Sequence, residues 1–168
     1  MATKVDSYKK IAEFGKQLLS DTSLDNALLL IADQARDLVE ADRCSIFMYD
    51  KEADMLWTKL ADGIGKIAIS SSSGIAGDTY SKGEAQVVND PYTDKRFLAG
   101  IDKKSGYETK NMITVPIFDS QRTVIGLFQL LNKNEGDFLD KDLKVLTFFA
   151  NYISGTLELS FLMKDENG

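Results

Sequence analysis

Two apolar arms separated by polar residues dominate the hydrophobic pattern in the second half of the chain. Residues 112–118 and 123–133 are rich in β-branched and aromatic side chains, and the polar residues 119–122 between them predict a hairpin turn. The second arm is apolar on both faces, which predicts a strand in the middle of a sheet with cover on both sides. Strict alternation places Val124, Phe128 and Leu130 on one face and Ile125, Leu127 and Leu131 on the other.

Gln129 is the polar side chain in the middle of this apolar arm. A buried amide needs hydrogen-bond partners, either from the protein or from a bound molecule. Gln129 is therefore the first indication of a pocket.

Shorter alternating segments predict four further strands, over residues 43–49, 55–61, 66–69 and 86–89. In the first of these, Cys44, Ile46 and Met48 share one face and Ser45, Phe47 and Tyr49 the other. Asp62 and Gly63 form a strong turn signal between the second and third segments.

Helical periodicity predicts four helices. They cover residues 6–19, residues 24–38 after a cap at Thr22 or Ser23, a short helix from Gly74 to Gly83, and residues 140–164. Residues 92–110 are polar and rich in loop-forming residues, which predicts a long loop that could serve as a lid.

The last helix is apolar on more than one side. Leu139, Phe148, Phe149 and Tyr152 predict burial on the sheet, whereas Leu143, Leu146, Ala150, Ile153 and Leu157 follow the spacing of a coiled-coil seam. Two interpretations remain open. In the first, one apolar group packs on the sheet and the other on a second subunit. In the second, all these residues form one broad core face.

These elements predict an α+β fold, in which one mixed, mainly antiparallel sheet of six strands carries long helices on one face. The 168 residues suit a single domain, 1–168, with 1–20 and 155–168 as helical extensions.

Composition narrows the function classes. One cysteine, Cys44, and no histidine exclude a disulfide, a zinc cluster and a Ser-His or Cys-His nucleophile, and we find no catalytic or metal-ligating constellation. The net charge of −6 argues against nonspecific binding to nucleic acid or anionic membrane. No apolar run has the length of a membrane span or the form of a secretory signal, so we expect a cytoplasmic protein.

The start of the short helix at Gly74 is the candidate site that the residues themselves indicate. Free backbone N–H groups and partial positive charge at a helix start hold anions, and the lack of side chains at Gly74 and Gly77 would let a phosphate approach. The alternative is a packing device. Cations in the predicted lid could attract an anion, although that loop also carries acidic residues and its composition favours a solvated mixed-charge surface.

Taken together, several motifs resemble the GAF domain, a small-molecule sensor module. They are Arg43-Cys-Ser-Ile-Phe, Gly74-Ile-Ala-Gly77, Asp90-Pro-Tyr to Phe97, Gly106-Tyr-Glu-Thr-Lys-Asn111, Val115-Pro-Ile and Gly126 to Lys133, in the order and spacing of that family. The resemblance covers roughly residues 20–160 and implies a ligand pocket under short helices and loops, on the sheet face opposite the long helices.

The chain most resembles the cyclic-nucleotide-binding GAF domains of phosphodiesterases and bacterial adenylyl cyclases. Their signature of Asn-Lys followed by Phe-x-x-x-Asp-Glu is matched by Asn132, Lys133, Phe138 and Asp142, but Leu143 replaces the glutamate. The resemblance implies a lysine–carboxylate latch beneath the pocket, between Lys133 and either Asp142 or Asp140.

The resemblance also implies a set of ligand contacts. Ser45, Asp62, Ile75, Ala76, Asp102 and Thr109 match the residues that the family uses around the nucleotide, and Ser105 stands where threonine is usual. Ala61 replaces an aromatic residue that stacks on the base, Leu98 replaces a tyrosine and Gln129 replaces a glutamate. A lost stacking ring forfeits about 1–3 kcal/mol.

The implied binding mode is specific. The cyclic phosphate lies on the N–H groups of Ile75 and Ala76, the lid closes over sugar and base, and Asp102 fastens the lid. Ser45, Asp62 and Thr109 hydrogen-bond the purine edge. An uncharged acceptor such as Thr109 suits the amino group of adenine, which mildly favours cAMP over cGMP.

The leading hypothesis is therefore a non-enzymatic regulatory domain that binds a cyclic nucleotide, and no other cofactor. It would relay occupancy through the terminal helices of a homodimer to an output domain absent from this chain, such as a nucleotide or diguanylate cyclase. The alternative is a dimerisation module with a vestigial pocket or a different small-molecule ligand. Reduction of free methionine sulfoxide, known in some GAF proteins, needs several cysteines, and Cys44 stands alone.

The contact set yields a mutational prediction. Asp62→Ala or Thr109→Ala should abolish cyclic-nucleotide binding in titration calorimetry while circular dichroism shows a largely intact fold. Unchanged affinity in both variants would show that the pocket has been misplaced.

Overall fold

The central sheet is continuous and antiparallel throughout. In the computed structural model, which describes residues 3–6, 8–10, 24–61 and 67–167, six strands pair in the order β3–β2–β1–β6–β5–β4. They are β1 (Ala41–Asp50), β2 (Met55–Ala61), β3 (Ala68–Ser70), β4 (Gln86–Val88), β5 (Met112–Phe118) and β6 (Val124–Lys133). The predicted six-stranded sheet is therefore confirmed. Because every neighbouring pair is antiparallel, the sheet is not mixed, which corrects that part of the prediction.

Helices cover the sheet on both faces. They are α1 (Leu24–Val39), α2 (Gly74–Lys82), a 3₁₀ turn (Pro91–Thr93), α3 (Ala99–Ser105) and α4 (Asp140–Asn167). The predicted loop over residues 92–110 is corrected, because it contains the 3₁₀ turn and α3. A seven-residue helix such as α3 is too short to show a clear period in sequence. Most of the helix predicted over residues 6–19, the caps Thr22 and Ser23, and the turn at Asp62 and Gly63 lie outside the described residues.

The main core lies between one sheet face and the pair α1 and α4. Leu28 and Ile31 of α1 meet Phe149 and Ile153 of α4 over the fully buried Phe128 of β6. The predicted faces of β1 are confirmed: Cys44, Ile46 and Met48 join this core, while Phe47 and Tyr49 lie on the opposite face. Cys44 is a buried core residue.

A bulge alters the expected faces at the start of β6. Phe118 pairs with Val124 and Ile117 with Gly126, so Ile125 is an extra residue on that strand. As a result Val124 packs on the face of Phe47 and Ile125 on the core face, the reverse of the prediction from strict alternation.

Gly126 of β6 is required by close backbone approach. A Cβ built there would lie 2.3 Å from the carbonyl oxygen of Phe47 on β1. No side chain fits at that distance, so glycine at this position permits β1 and β6 to pair.

The structure also corrects the assignment of faces on α4. Leu146, Phe149, Ala150, Ile153 and Leu157 are buried in the core, whereas Phe148 and Tyr152 are 43% and 41% exposed. The residues spaced like a coiled-coil seam are therefore the sheet-facing ones. The second apolar stripe consists of Phe148, Tyr152 and Leu159 and faces outward.

A buried ion pair joins the end of β6 to the start of α4. Lys133 Nζ lies 2.7 Å from Asp142 Oδ2, and the two side chains are only 9% and 5% exposed. The same carboxylate oxygen accepts a hydrogen bond from Leu139 N at 2.8 Å. Of the two partners left open by the sequence, the structure selects Asp142, and Asp140 is exposed.

No helix among the described residues is both long enough and apolar enough to cross a membrane.

The Lys133–Asp142 pair yields a stability prediction. Asp142→Asn leaves a buried ammonium group without its countercharge, so we expect the free energy of unfolding to fall by about 3–5 kcal/mol. Urea denaturation measures this, with Asp140→Asn as the matched control at the exposed carboxylate nearby. Equal losses in the two variants would contradict a specific role for Asp142.

Candidate functional site

A small apolar cavity lies on the sheet face opposite the main core, beneath α2 and α3. Its volume is about 70 Å³. Its wall combines apolar residues of the sheet and the short helices with a few polar groups: Phe47, Ile67, Ile69, Gly74, Ile75, Ala76, Phe97, Leu98, Ile101, Asp102, Ser105, Tyr107, Thr109, Met112, Gln129 and Leu131. Segments that are far apart in sequence therefore meet around one space.

Asp102 is the buried carboxylate at this cavity, and it ties the ends of the lid (residues 91–109) together. Its Oδ2 accepts hydrogen bonds from Tyr92 OH at 2.6 Å and Thr109 N at 2.8 Å, and its Oδ1 accepts one from Thr109 Oγ1 at 2.9 Å. The hydrogen bond to Asp102 also raises the pKa of Tyr92. Asp102 therefore makes the lid-fastening contact that the resemblance implied for it.

Gln129 lies on the floor of the cavity and is 7% exposed. Its Nε2 donates to Thr114 Oγ1 at 3.1 Å on the neighbouring strand β5. Ser45 pairs with Gln129 across β1 and β6 and is also buried, but it is not part of the cavity wall.

The start of α2 borders the cavity, and its glycines serve the protein's own packing. Gly74 has φ +71°, and a Cβ there would lie 3.0 Å from the Leu98 side chain. At Gly77 a Cβ would lie 2.9 Å from the carbonyl oxygen of Ser71. The packing alternative is thus sufficient to account for both glycines, while the N–H groups of the first helical turn have no acceptor within the helix.

An ionic cluster outside the cavity fastens the lid to α2. Arg96 lies 2.6 Å from both Asp78 Oδ2 of α2 and Asp94 Oδ2 of the lid, and it also donates to Gln86 Oε1 of β4. Hydrogen bonds from Arg96 lower the pKa of Asp94 to about 2. Because this value lies below the ~3.9 of an unfolded aspartate, the contact stabilises the folded state above about pH 4 and is lost as the pH falls towards 2.

Tyr107 lies near the C-terminal end of the lid and contacts the start of β1. The guanidinium carbon of Arg43 lies 3.7 Å from the centre of the Tyr107 ring, and Tyr107 OH donates to Asp42 Oδ2 at 2.7 Å. Burial, reinforced by that hydrogen bond, raises the pKa of Tyr107. Arg43 Nη1 is buried without a hydrogen-bond partner among the described residues, while the guanidinium group stacks on the Tyr107 ring.

Comparison with known proteins identifies the family. The GAF domain family matches residues 23–157 of the chain. The chain belongs to the GAF domain family.

Sequence relatives of this GAF domain include cyclic-nucleotide phosphodiesterases. It is 33% identical over 144 residues to a probable 3',5'-cyclic phosphodiesterase, pde-5, of Caenorhabditis elegans, covering 77% of this chain and 20% of that protein. It is 30% identical over 155 residues to the dual 3',5'-cyclic-AMP and -GMP phosphodiesterase 11A of Takifugu rubripes, covering 83% and 17%. The chain thus spans about a fifth of the length of these relatives.

Solved structures show the same fold. The GAF domain from a phosphoenolpyruvate-protein phosphotransferase of Coxiella burnetii superposes with a TM-score of 0.84 at 14% identity, covering 98% of this chain and 99% of that one. At such low identity the match concerns the fold alone.

The structure brings most of the predicted site residues of this GAF domain to one cavity. The predicted residues in its wall are Ile75, Ala76, Leu98, Asp102, Ser105, Thr109 and Gln129. Ser45 lies beside the wall, and Asp62 is outside the described residues. That these residues contact a ligand stays a prediction.

Apart from Asp102, sequence reasoning missed the polar contacts that hold the lid. Arg96 is one of the lid cations for which the composition favoured a solvated mixed-charge surface over attraction of an anion, and Tyr92 and Tyr107 were given no role. The closeness of Asp94 and Arg96 in the sequence could have indicated an ion pair between them. The other partners of Arg96, Asp78 and Gln86, lie on α2 and β4 and are distant in the sequence. No group of three or more His, Cys, Asp or Glu residues in the described part of the chain could hold a metal ion.

The Arg96 cluster yields a prediction about lid motion. Arg96→Gln removes the charge that joins Asp94 to Asp78, and because these groups are partly exposed we expect a local loss of ~1 kcal/mol, or roughly fivefold faster hydrogen exchange across residues 91–105. Exchange in β5 and β6 should not change. Lys95→Gln, at an exposed neighbour for which the described part of the chain shows no ion pair, is the control. If the two variants exchange alike, Arg96 does not fasten the lid.

Proposed function

We propose that this GAF domain is a non-enzymatic regulatory sensor that binds a cyclic nucleotide, with cAMP preferred over cGMP. The terminal helices of a homodimer signal whether the ligand is bound, and they relay this signal to an output domain outside this chain, such as a nucleotide or diguanylate cyclase. The observation that carries the proposal is the cavity itself. It lies against the start of α2, under a lid whose two ends are joined by the buried carboxylate of Asp102.

The relatives support the ligand class. Their names describe 3',5'-cyclic phosphodiesterases, one of them acting on both cyclic AMP and cyclic GMP. The GAF match covers the part of this chain that builds the cavity. A cyclic nucleotide has an apolar ring face, polar edges and one negative charge, which suits an apolar wall with few polar groups beside a helix start.

Thr109 supports the preference for adenine. Its hydroxyl proton is donated to Asp102 Oδ1, so toward the cavity its oxygen can only accept. The amino group of adenine is a donor, whereas guanine carries a carbonyl acceptor at the same position. An acceptor facing an acceptor is repulsive, and Thr109 therefore favours cAMP.

The cavity must enlarge to admit such a ligand. Its volume of about 70 Å³ lies below the range of roughly 300–1,000 Å³ that is usual for small-molecule pockets. Binding is thus coupled to lid displacement. A ligand shifts an equilibrium between two states only by the difference in its affinity for them. The closed and displaced positions of the lid supply such a difference, because the ligand fits the cavity only after the lid has moved.

Contacts between the β5–β6 turn and α4 offer a route to the output helix. Ser154 Oγ of α4 donates to the carbonyl oxygen of Phe118, and Glu158 accepts from the backbone N–H of Ser120. Movement of the sheet beneath the cavity is therefore transmitted to the C-terminal half of α4.

The outward stripe of α4 supports pairing through the terminal helices. Phe148, Tyr152 and Leu159 border a groove on α4 together with Gly155, Asn151 and Thr156. The missing side chain at Gly155 permits close approach of a second helix. A second copy of α4 would remove this apolar surface from water.

A second candidate function is a dimerisation module with a vestigial pocket. The specific observation in its favour is that Leu98 packs against Gly74 and the remaining space is small. Ala61 also lacks the aromatic ring that the family resemblance implies for stacking.

Titration calorimetry with cAMP and cGMP, combined with analytical ultracentrifugation, separates these functions. We expect micromolar binding of cAMP and weaker binding of cGMP to a dimer. Thr109→Val keeps the side-chain shape but removes the acceptor, and should cost about 1–3 kcal/mol of cAMP affinity. Thr109→Ser keeps the hydroxyl and serves as the matched control. A stable dimer that binds neither nucleotide would establish the second function, and equal affinities in both variants would remove Thr109 from the site.

A further inference from the structure

Leu98 separates two spaces of very different character. On one side is the apolar cavity of about 70 Å³, and on the other is a polar groove of about 350 Å³ on the protein surface. The outer groove is bordered by residues of the turn before α2, of α2 and of the lid: Ser72, Ser73, Gly74, Gly77, Asp78, Ser81, Lys95, Arg96 and Leu98. Gly74 and Leu98 belong to both walls.

The partition between the two spaces is thin. The Cγ and Cδ1 atoms of Leu98 each lie 3.0 Å from the position that a Cβ on Gly74 would occupy, so the leucine side chain rests on a bare Cα. The other neighbour of that Cβ position is the carbonyl oxygen of Arg96 at 3.7 Å, so Leu98 supplies the side-chain part of the contact.

Leu98 is placed where a rotation of its side chain is feasible. It is only half-buried, and it directly precedes α3 within the lid. The rest of the lid is held by the polar contacts of Asp102 and Arg96, none of which involves the Leu98 side chain. Side-chain rotamer changes at incompletely buried positions are fast compared with lid opening.

The groove also differs from the cavity in size. The groove alone falls within the usual volume of a small-molecule pocket, whereas the cavity does not. Lys95 and Arg96 give the groove a cationic border in a protein of net charge −6. Arg96 is neutralised by Asp78 and Asp94, so Lys95 is the exposed cation of this border.

We propose that Leu98 is a gate, and that small molecules reach the cavity from the outer groove past this side chain. The inference rests on the proposed function only in taking the cavity as the ligand site, and it holds for any small molecule that enters there. Leu98 in this role controls access, so its size sets the rate of entry.

Thiol labelling of a cysteine inside the cavity tests the gate without any nucleotide. Met112 lines the cavity and is 5% exposed, so Met112→Cys in a Cys44→Ala background provides a single buried thiol. The probe is methyl methanethiosulfonate, a small uncharged reagent. Labelling rates are compared with and without Leu98→Ala.

Ile101→Ala is the matched control. Ile101 lines the cavity from the same lid and is also half-buried, but it does not border the groove. Both substitutions remove aliphatic groups from the cavity wall, and only the one at Leu98 opens the partition. We expect Leu98→Ala to accelerate labelling by roughly tenfold or more relative to Ile101→Ala, because access no longer requires a local opening event.

Equal acceleration in the two variants, faster labelling in Ile101→Ala, or no change in either would overturn the gate. If Leu98→Ala does not fold, Leu98→Val provides the same comparison with Ile101→Val. A gate confirmed by labelling in a protein that binds neither cAMP nor cGMP would refute the proposed ligand and leave the gate intact.

Discussion

The need to cover both faces of one sheet governs this structure. Strand β6 is apolar on each side and sits between β1 and β5, so neither of its faces can remain in water. On one face the long helices α1 and α4 supply a continuous apolar layer. On the other face the cover consists of α2 and α3, nine and seven residues long, which are too short to fill the space between them and the sheet. The cavity is the consequence of this unequal cover.

The two layers are also held by different forces. The α1–α4 layer is held by burial of large side chains such as Phe149 and Ile153, and the Lys133–Asp142 pair joins that layer to the sheet. Hydrogen bonds to Asp102 and the partly exposed Arg96 cluster hold much of the lid instead. The Arg96 contacts are partly exposed and contribute little free energy, because water competes for the same groups, whereas Asp102 and Thr109 are buried. The lid therefore has a defined closed position that depends on polar contacts more than on burial of large side chains.

The core and the cavity lie on opposite faces of the same strands. The strands that line the cavity, β1, β5 and β6, present their other face to α1 and α4. The outward stripe lies on the side of α4 that is turned away from that core. A single packed layer of side chains therefore separates the cavity strands from the outer side of α4.

The sequence by itself determined the sheet, most helices, the family and most of the residues that meet at the cavity. These features depend on local periodicity, on turn residues, and on motifs at fixed spacing, all of which are properties of neighbouring positions. The bounds of β2 and β5 and the extent of α2 follow directly from such patterns. The choice between Asp140 and Asp142 did not, because it depends on which carboxylate the helix turns towards Lys133.

Only the tertiary structure decided which of two apolar stripes on α4 is buried, since both have helical spacing and the difference lies in the position of the sheet. It likewise decided the reversed faces of Val124 and Ile125, because a bulge is a property of two paired strands rather than of one. The contacts of Arg96 with Asp78 and of Leu98 with Gly74 join segments that are distant in the chain. Pattern along a sequence carries no information about such pairs, and it is these pairs that close the cavity.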